Sequence, residues 1–229
     1  MSVNVNTVYQ RVLAITNKEQ RGYITPQEFN YMANQAQLDI FEQYFYDLNQ
    51  FARLPGNSTE YSDMLDILEE KISLFEKVGA TVTGGITLPS DVYRLGSVLY
   101  NGIDAEHITQ KDWLYIKKSP LSQPSNDFPV YLRDSETDAI KVYADSITAN
   151  KTSDVTCNYI KTPANVNWAY DGVTGLYDSG NSTNFELHAS EETELVIKIL
   201  AMAGIVLKDP GLYQIGSAEE VKSVQQEKA

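Results

Sequence analysis

The chain has 229 residues, and its 18 basic and 31 acidic side chains give a formal net charge of −13. This charge argues against a groove that grips nucleic-acid phosphates, because such grooves are lined by lysine and arginine. The single cysteine, Cys157, excludes an internal disulfide and argues against a cysteine-based zinc site, so we interpret it as a structural thiol.

The first part of the chain predicts three amphipathic helices. The first should end before Gly22 and has apolar residues at three- and four-residue steps: Val5, Val8, Val12 and Ile15. Thr25 and Glu28 form a capping-box pattern, so the second helix should span Pro26–Leu48. After a turn at 55–58, the third helix has its stripe at Tyr61, Met64, Leu65, Leu68, Ile72 and Phe75. We expect the second and third helices to be antiparallel neighbours.

The second helix has two apolar faces. One face carries Phe29, Met32, Ala33, Ala36, Ile40 and Tyr44, and the opposite face carries Leu38, Phe41 and Phe45. One interpretation places this helix in the middle of its own bundle. The other places a neighbouring subunit on the second face, which makes Leu38, Phe41 and Phe45 candidate subunit-interface residues.

From Gly79 the composition changes to threonine, valine, glycine and tyrosine, which favours strands. Thr109 should cap a short helix that carries Trp113, and a polar loop follows. Further strands are predicted at 92–100, 102–108, 130–133, 139–144 and 155–160. The last three alternate apolar and polar residues, and we expect them to form one antiparallel meander.

Residues 161–184 are rich in asparagine, glycine and serine, so they should form a long arm without a core of its own. Its rings, Trp168, Tyr170 and Tyr177, are candidate subunit-interface residues, although docking onto the same subunit is the alternative. Asp171 and Asp178 beside them are the best carboxylate pair for glycoside hydrolysis, which a generic acidic loop also explains.

The last strongly apolar segment predicts a buried core helix. Ser190 should cap it, and residues 195–207 are apolar almost all round. At about thirteen residues this helix is too short for a membrane span of about twenty. The triplet at 209–211 should stop it, and a polar tail follows from Ala218.

These elements predict an α+β fold: an antiparallel helical bundle from the N- and C-terminal helices, with a small antiparallel β insertion and a long arm. The expected divisions are 1–78 for the N-terminal part of the bundle, 79–186 for the β-rich insertion with its extended loop, and 187–229 for the bundle-closing helix and tail. A segment as polar as the arm cannot be a separate unit.

Sequence motifs for catalysis are missing. His107 and His188 have no partner at metal-ligand spacing, and no nucleophile elbow, P-loop, dinucleotide-binding or zinc-protease motif occurs. We therefore expect a protein that is not an enzyme and needs no cofactor or metal. Residues 1–16 have no basic start before an apolar block, so we expect no secretory signal.

Four phrases resemble head-to-tail connector proteins of tailed bacteriophages: "GYITPQEFNYMANQAQLDIFEQYF", "ITLPSDVYRLGSVLY", "VTCNYIKTPANVNWAY" and "FELHASEETELVIKILAMAGIVLKDPGLYQ". More narrowly, the chain is similar to the adaptor or ring proteins beneath the portal of short-tailed and crAss-like phages. The resemblance implies a helical bundle with β insertions and no catalytic residue.

As a member of that family the chain would be a structural virion protein of the neck or tail, made in the host bacterial cytoplasm. Its implied partners are sister copies in a cyclic homo-oligomer, a dodecamer, together with the portal protein and tail or further ring proteins. Genomic DNA would pass without specific binding, and no membrane is involved. The alternatives are a carbohydrate-binding or carbohydrate-cleaving tail component and a cytosolic bacterial scaffold.

Overall fold

The computed structural model describes residues 2–17, 24–52, 59–134, 139–206, 214–219 and 221–222. The helices are α1 (Val5–Asn17), α2 (Pro26–Ala52), α3 (Thr59–Ser73), α4 (Gln110–Ile116) and α5 (Glu192–Val206), with a 3-10 helix at Ala189–Glu191. The strands are β1 (Glu76–Thr81), β2 (Val92–Tyr100), β3 (Ile103–Asp104), β4 (Glu106–His107), β5 (Val130–Asp134), β6 (Ala139–Tyr143) and β7 (Val155–Lys161). Residues 214–219 and 221–222 are also helical.

The chain divides into two compact units. The helical unit comprises the described parts of Met1–Leu74 and Pro163–Ala229, and the strand unit is Phe75–Thr162. The divisions expected from the sequence lay after residues 78 and 186. The structure therefore groups 163–186, which includes all of the expected arm from residue 163 onward, with the helices rather than with the strands.

The strand unit contains two sheets. The first has the order β1-β7-β2-β3 with antiparallel pairing throughout, and the second has the order β4-β5-β6. In the second sheet β4 is parallel to β5, and β6 is antiparallel to β5. The unit has its own apolar core, which includes Val98, Ile140, Val142, Val155 and Cys157.

The predicted fold class, a helical bundle with a small antiparallel β insertion, is wrong. The described residues form a mixed α/β protein, in which the helices accompany two sheets of four and three strands. The predicted meander is also wrong, because β7 pairs with β1 and β2 while β5 pairs with β4 and β6. Alternation of apolar and polar residues identifies a strand, but the strand that pairs with it in the sheet can lie far away in sequence.

The core of the helical unit lies between α2 and its neighbours. The apolar face predicted for α2 is buried at Phe29, Met32, Ala33, Ala36, Ile40 and Tyr44. Helix α5 contacts α1 and α2 and buries Leu195 and Ile199 completely, which confirms the prediction of a buried core helix. Within the described residues, no helix is long and apolar enough to cross a membrane.

Local capping signals identify two helix starts correctly. Thr25 and Glu28 bond reciprocally, with backbone N–H donors 2.9 and 3.3 Å from the side-chain oxygens. Thr109 caps α4 through the Asp112 N–H. Ser190 is not a cap, because it lies inside the 3-10 helix, whose N-cap is His188.

Other predicted features fall outside the described residues. These are the helix stop before Gly22, the turn at 55–58, the triplet at 209–211, and most of the tail beyond residue 219.

Candidate subunit interface

The second face of α2 is only partly open. Phe41 is fully buried, and its ring meets that of Phe45 edge to face at a centroid distance of 5.1 Å. Leu38 and Phe45 are half-buried. The chain itself therefore covers Phe41, whereas Leu38 and Phe45 retain surface that a neighbouring subunit could cover.

Trp168 is covered by α1 of the same chain. Its ring centroid lies 4.3 Å from that of Tyr9, and its indole N–H donates to Asn6 Oδ1 at 3.1 Å. Tyr170 and Tyr177 flank the indole at centroid distances of 6.1 and 5.8 Å. Tyr170 is exposed and Tyr177 is half-buried, so the three predicted interface rings form one cluster whose centre needs no partner.

Residues 163–187, which we call the strap, are held against α2 by side-chain amides. Asn34 donates to the carbonyl oxygen of Val166 at 2.9 Å and accepts from the Val166 N–H at 2.7 Å. Asn30 makes the same two bonds with Trp168, at 3.2 and 2.8 Å. In each case one side-chain amide makes hydrogen bonds with both the N–H and the C=O of one strap residue.

Gln37 extends this series to both ends of the strap. It donates to the carbonyl oxygen of Ala164 at 2.8 Å and accepts from the Glu186 N–H at 3.0 Å. Four residues of helix rise about 6 Å, and two residues of extended chain rise about 6.6 Å. This near match lets Asn30, Asn34 and Gln37, which we call the amide ladder, pair with every second residue of the strap.

The sequence analysis missed the amide ladder because it sorted α2 only by its apolar faces. A signal was present: three side-chain amides lie one helical turn apart, and asparagine is a poor helix former in a helix interior. Each such amide has an NH₂ donor and a carbonyl acceptor. Amides spaced one helical turn apart beside an apolar stripe can therefore bind the N–H and C=O groups of an extended segment that lies along the helix. The arm without a core of its own therefore docks on its own helix through polar contacts.

The strap folds back into a hairpin, closed by bridges between Asn167 and Thr183 and between Tyr170 and Tyr177. Its tip, residues 170–177, is ordered by backbone hydrogen bonds from Asp171 N to Leu176 O at 2.9 Å and from Gly175 N to Asp171 O at 2.8 Å. Two apolar side chains of this hairpin tip point to solvent, with Val173 95% and Leu176 69% exposed. Ordered apolar side chains this exposed are typical of contact surfaces.

The carboxylates beside the hairpin tip serve its turns. Asp171 accepts the Val173 N–H at 2.7 Å, and this bond lowers the pKa of Asp171. Asp178 accepts from the Asn181 side chain at 2.6 Å and from the Gly180 N–H at 2.8 Å, which lowers the pKa of Asp178. A glycosidase general acid needs a raised pKa, so the direction of both shifts argues against either group as that acid.

A second exposed apolar region lies in the strand unit, in residues 110–128, which we call the α4 segment. Its buried anchor is Trp113, whose ring stacks on Tyr143 at a centroid distance of 4.2 Å. Leu121 is 99% exposed and Phe128 is 78% exposed, and the outer side of α4 also exposes Leu114 and Tyr115. Backbone bonds between Ser125 and Phe128 order the end of the segment.

The remaining chemistry-bearing side chains have structural surroundings. Cys157 is buried in the strand-unit core, and burial raises the pKa of its thiol, the opposite of what a nucleophile needs. The ring of His107 lies 5.0 Å from that of Tyr131, and His188 bonds the Ser190 hydroxyl at 2.9 Å. The described residues contain no cluster of three histidine, cysteine, aspartate or glutamate side chains able to hold a metal ion.

Comparison of the chain with known family models finds no match, and comparison with curated proteins finds none either.

Proposed function

We propose that this chain is a structural virion protein, an adaptor or ring subunit that joins a phage portal to its tail and lines the DNA channel. The role requires surfaces that bind sister copies and neighbouring virion proteins, and it requires no reaction. The resemblance of four sequence phrases to phage connectors supplies the biological context of the proposal.

The observation that carries the proposal is the apolar hairpin tip held out on an ordered strap. Val173 and Leu176 are exposed, while hydrogen bonds fix the backbone around them. A preorganised tip loses little conformational entropy when it docks. Such a feature favours a subunit that buries the hairpin tip against another protein.

The charge of the chain also suits a channel. At −13 it repels DNA phosphates, so a polymer of the same sign would slide past a ring of such subunits rather than adhere.

Co-assembly tests the proposal. The chain would be produced with the portal and tail proteins encoded beside its own gene, and the products measured by native mass spectrometry and electron microscopy. We expect a closed ring of copies attached to the portal. A chain that stays monomeric and binds none of these neighbours at high concentration would refute the proposal.

A glycan array separates this proposal from a carbohydrate-binding or carbohydrate-cleaving tail component. A connector should bind no sugar on the array. Sugar binding that is lost in Tyr170→Ala, with the fold intact, would favour the carbohydrate role over the connector role.

A further inference from the structure

The hairpin tip and the α4 segment differ in charge as well as in position. The hairpin tip carries Asp171 and is followed directly by Asp178, with no basic residue between 170 and 178, so this segment has a charge of −2. Because hydrogen bonds lower the pKa values of both carboxyl groups, both are ionised at neutral pH. The hairpin tip is therefore acidic as well as apolar.

The α4 segment is locally basic in a strongly acidic chain. It contains Lys111, Lys117 and Lys118 against Asp112 and Asp127, a charge of +1. Lys117 and Lys118 are exposed and directly follow the exposed apolar residues of α4. Asp112 is turned to the start of the helix, where its carboxylate accepts from the Thr109 hydroxyl at 2.6 Å.

We propose that the hairpin tip of one copy of this chain docks on the α4 segment of the next copy. Val173 and Leu176 would be buried against the exposed apolar side chains of α4 and its loop, and Asp171 and Asp178 would face Lys117 and Lys118. Apolar burial supplies most of the affinity of such a contact, and the opposite charges fix its orientation and speed its formation.

This contact can build a ring. The hairpin tip and the α4 segment are different surfaces, so when two copies do not exchange the contact reciprocally it is heterologous and leaves one hairpin tip and one α4 segment free after every addition. A heterologous contact generates either a closed ring or an open filament. The inference rests on the proposed function, because a connector forms a closed ring rather than an open filament. It adds to that function the two surfaces that would join one copy to the next.

Crosslinking between two different variants tests the contact. The native cysteine is buried, so Val173→Cys and Leu121→Cys each add one accessible thiol. The two variants would be mixed, assembled with the portal and treated with a short bis-maleimide. We expect crosslinked pairs in the mixture and almost none with Val173→Cys alone or Leu121→Cys alone. The mixture excludes crosslinks within one chain, because no chain carries both added thiols.

A matched control uses Tyr31→Cys, an exposed position on α2, in place of Val173→Cys. Its mixture with Leu121→Cys should give no crosslinked pair. Charge is tested by Lys118→Glu against Lys77→Glu, an exposed lysine in β1. Only Lys118→Glu should weaken assembly, and Val173→Asp should weaken it by roughly tenfold or more, because burial of a valine side chain contributes about 1.5 kcal/mol.

The outcomes separate this inference from the proposed function. Rings that assemble while the Val173→Cys and Leu121→Cys mixture gives no crosslink overturn the inference and leave the connector role standing. Crosslinking of Val173→Cys with itself also overturns the inference, because it indicates that two hairpin tips meet each other. A chain that joins no assembly under any condition overturns both.

Discussion

Replacing Asn34 by alanine removes the two hydrogen bonds that one side-chain amide makes with the backbone of Val166. Val166 is 2% exposed, so water does not readily replace either bond. A buried donor or acceptor left without a partner costs about 1–3 kcal/mol. Counting both groups gives about 2–6 kcal/mol, and because both bonds are only partly buried we expect Asn34→Ala to destabilise the docked strap by the lower part of that range, about 2–4 kcal/mol.

Hydrogen exchange is the appropriate assay, because it reports the opening of the strap itself rather than the unfolding of a two-unit chain. Every 1.4 kcal/mol is a factor of ten, so the Val166 amide should exchange roughly 30- to 1,000-fold faster in Asn34→Ala. Asn34→Asp should accelerate exchange less, because its carboxylate cannot donate to the Val166 carbonyl oxygen but still accepts from the Val166 N–H.

Gln35→Ala is the matched control on the same helix. Gln35 is exposed, and its side chain donates to Asp39 at 2.7 Å, a pair worth about 0.5 kcal/mol or less. Exchange at Val166 should hardly change in this variant. If Asn34→Ala accelerates exchange no more than Gln35→Ala does, the amide ladder does not hold the strap and the reasoning is wrong.

Gly85→Ala should destabilise the strand unit by about 3 kcal/mol in urea unfolding, because a Cβ there meets the carbonyl oxygen of Lys151 and the backbone has a φ of +65°. Gly84→Ala, with a similar φ of +61° and nothing within 4 Å, should cost only about 1 kcal/mol. Glu191→Gln should cost about 3 kcal/mol, because it breaks a buried ion pair in which Lys71 Nζ lies 2.7 Å from Glu191 Oε1. The same pair predicts acid sensitivity: burial alone would raise the pKa of Glu191, but the hydrogen bond and charge of Lys71 outweigh it and hold the pKa below 4.5. A carboxyl group with a lowered pKa stabilises the fold above its unfolded pKa, so this stability should be lost as the pH falls below about 4.5.

Two comparisons check these expectations. If Gly85→Ala and Gly84→Ala lower the free energy of unfolding by the same amount, the backbone moves to relieve the crowding at residue 85. For the ion pair, stability measured from pH 6 to pH 3 should fall less steeply in Glu191→Gln than in the parent chain. Parallel curves would remove Glu191 as the source of the acid sensitivity.

The sequence predicted single elements well where the signal was local. The capping box at Thr25, the N-cap at Thr109, the apolar face of α2 and the buried helix α5 follow from side chains within a few turns of one another. The three predicted strands from residue 130 onward all exist. Their assignment to one meander failed, because pairing β7 with β1 and β2 depends on residues some 60 to 80 positions away.

For a related reason, the sequence did not show how the candidate interface rings are arranged. Tyr170 is exposed and Tyr177 half-buried, but Trp168 docks on α1, more than 150 residues earlier in the chain. The apolar tip residues Val173 and Leu176 were not selected at all, because an exposed valine in a polar segment has no periodicity that distinguishes it.

By itself the sequence determined where most of the helices and strands lie, the strong negative charge, and the polar character of the segment that became the strap. These properties depend on neighbouring residues and on composition. Only the tertiary structure decided that the strand region has a core of its own, that α2 holds the strap through Asn30, Asn34 and Gln37, and that the apolar tip stays in solvent. Those outcomes depend on which side chains and backbone groups from distant parts of the chain meet when it packs, and local sequence patterns do not show these long-range contacts.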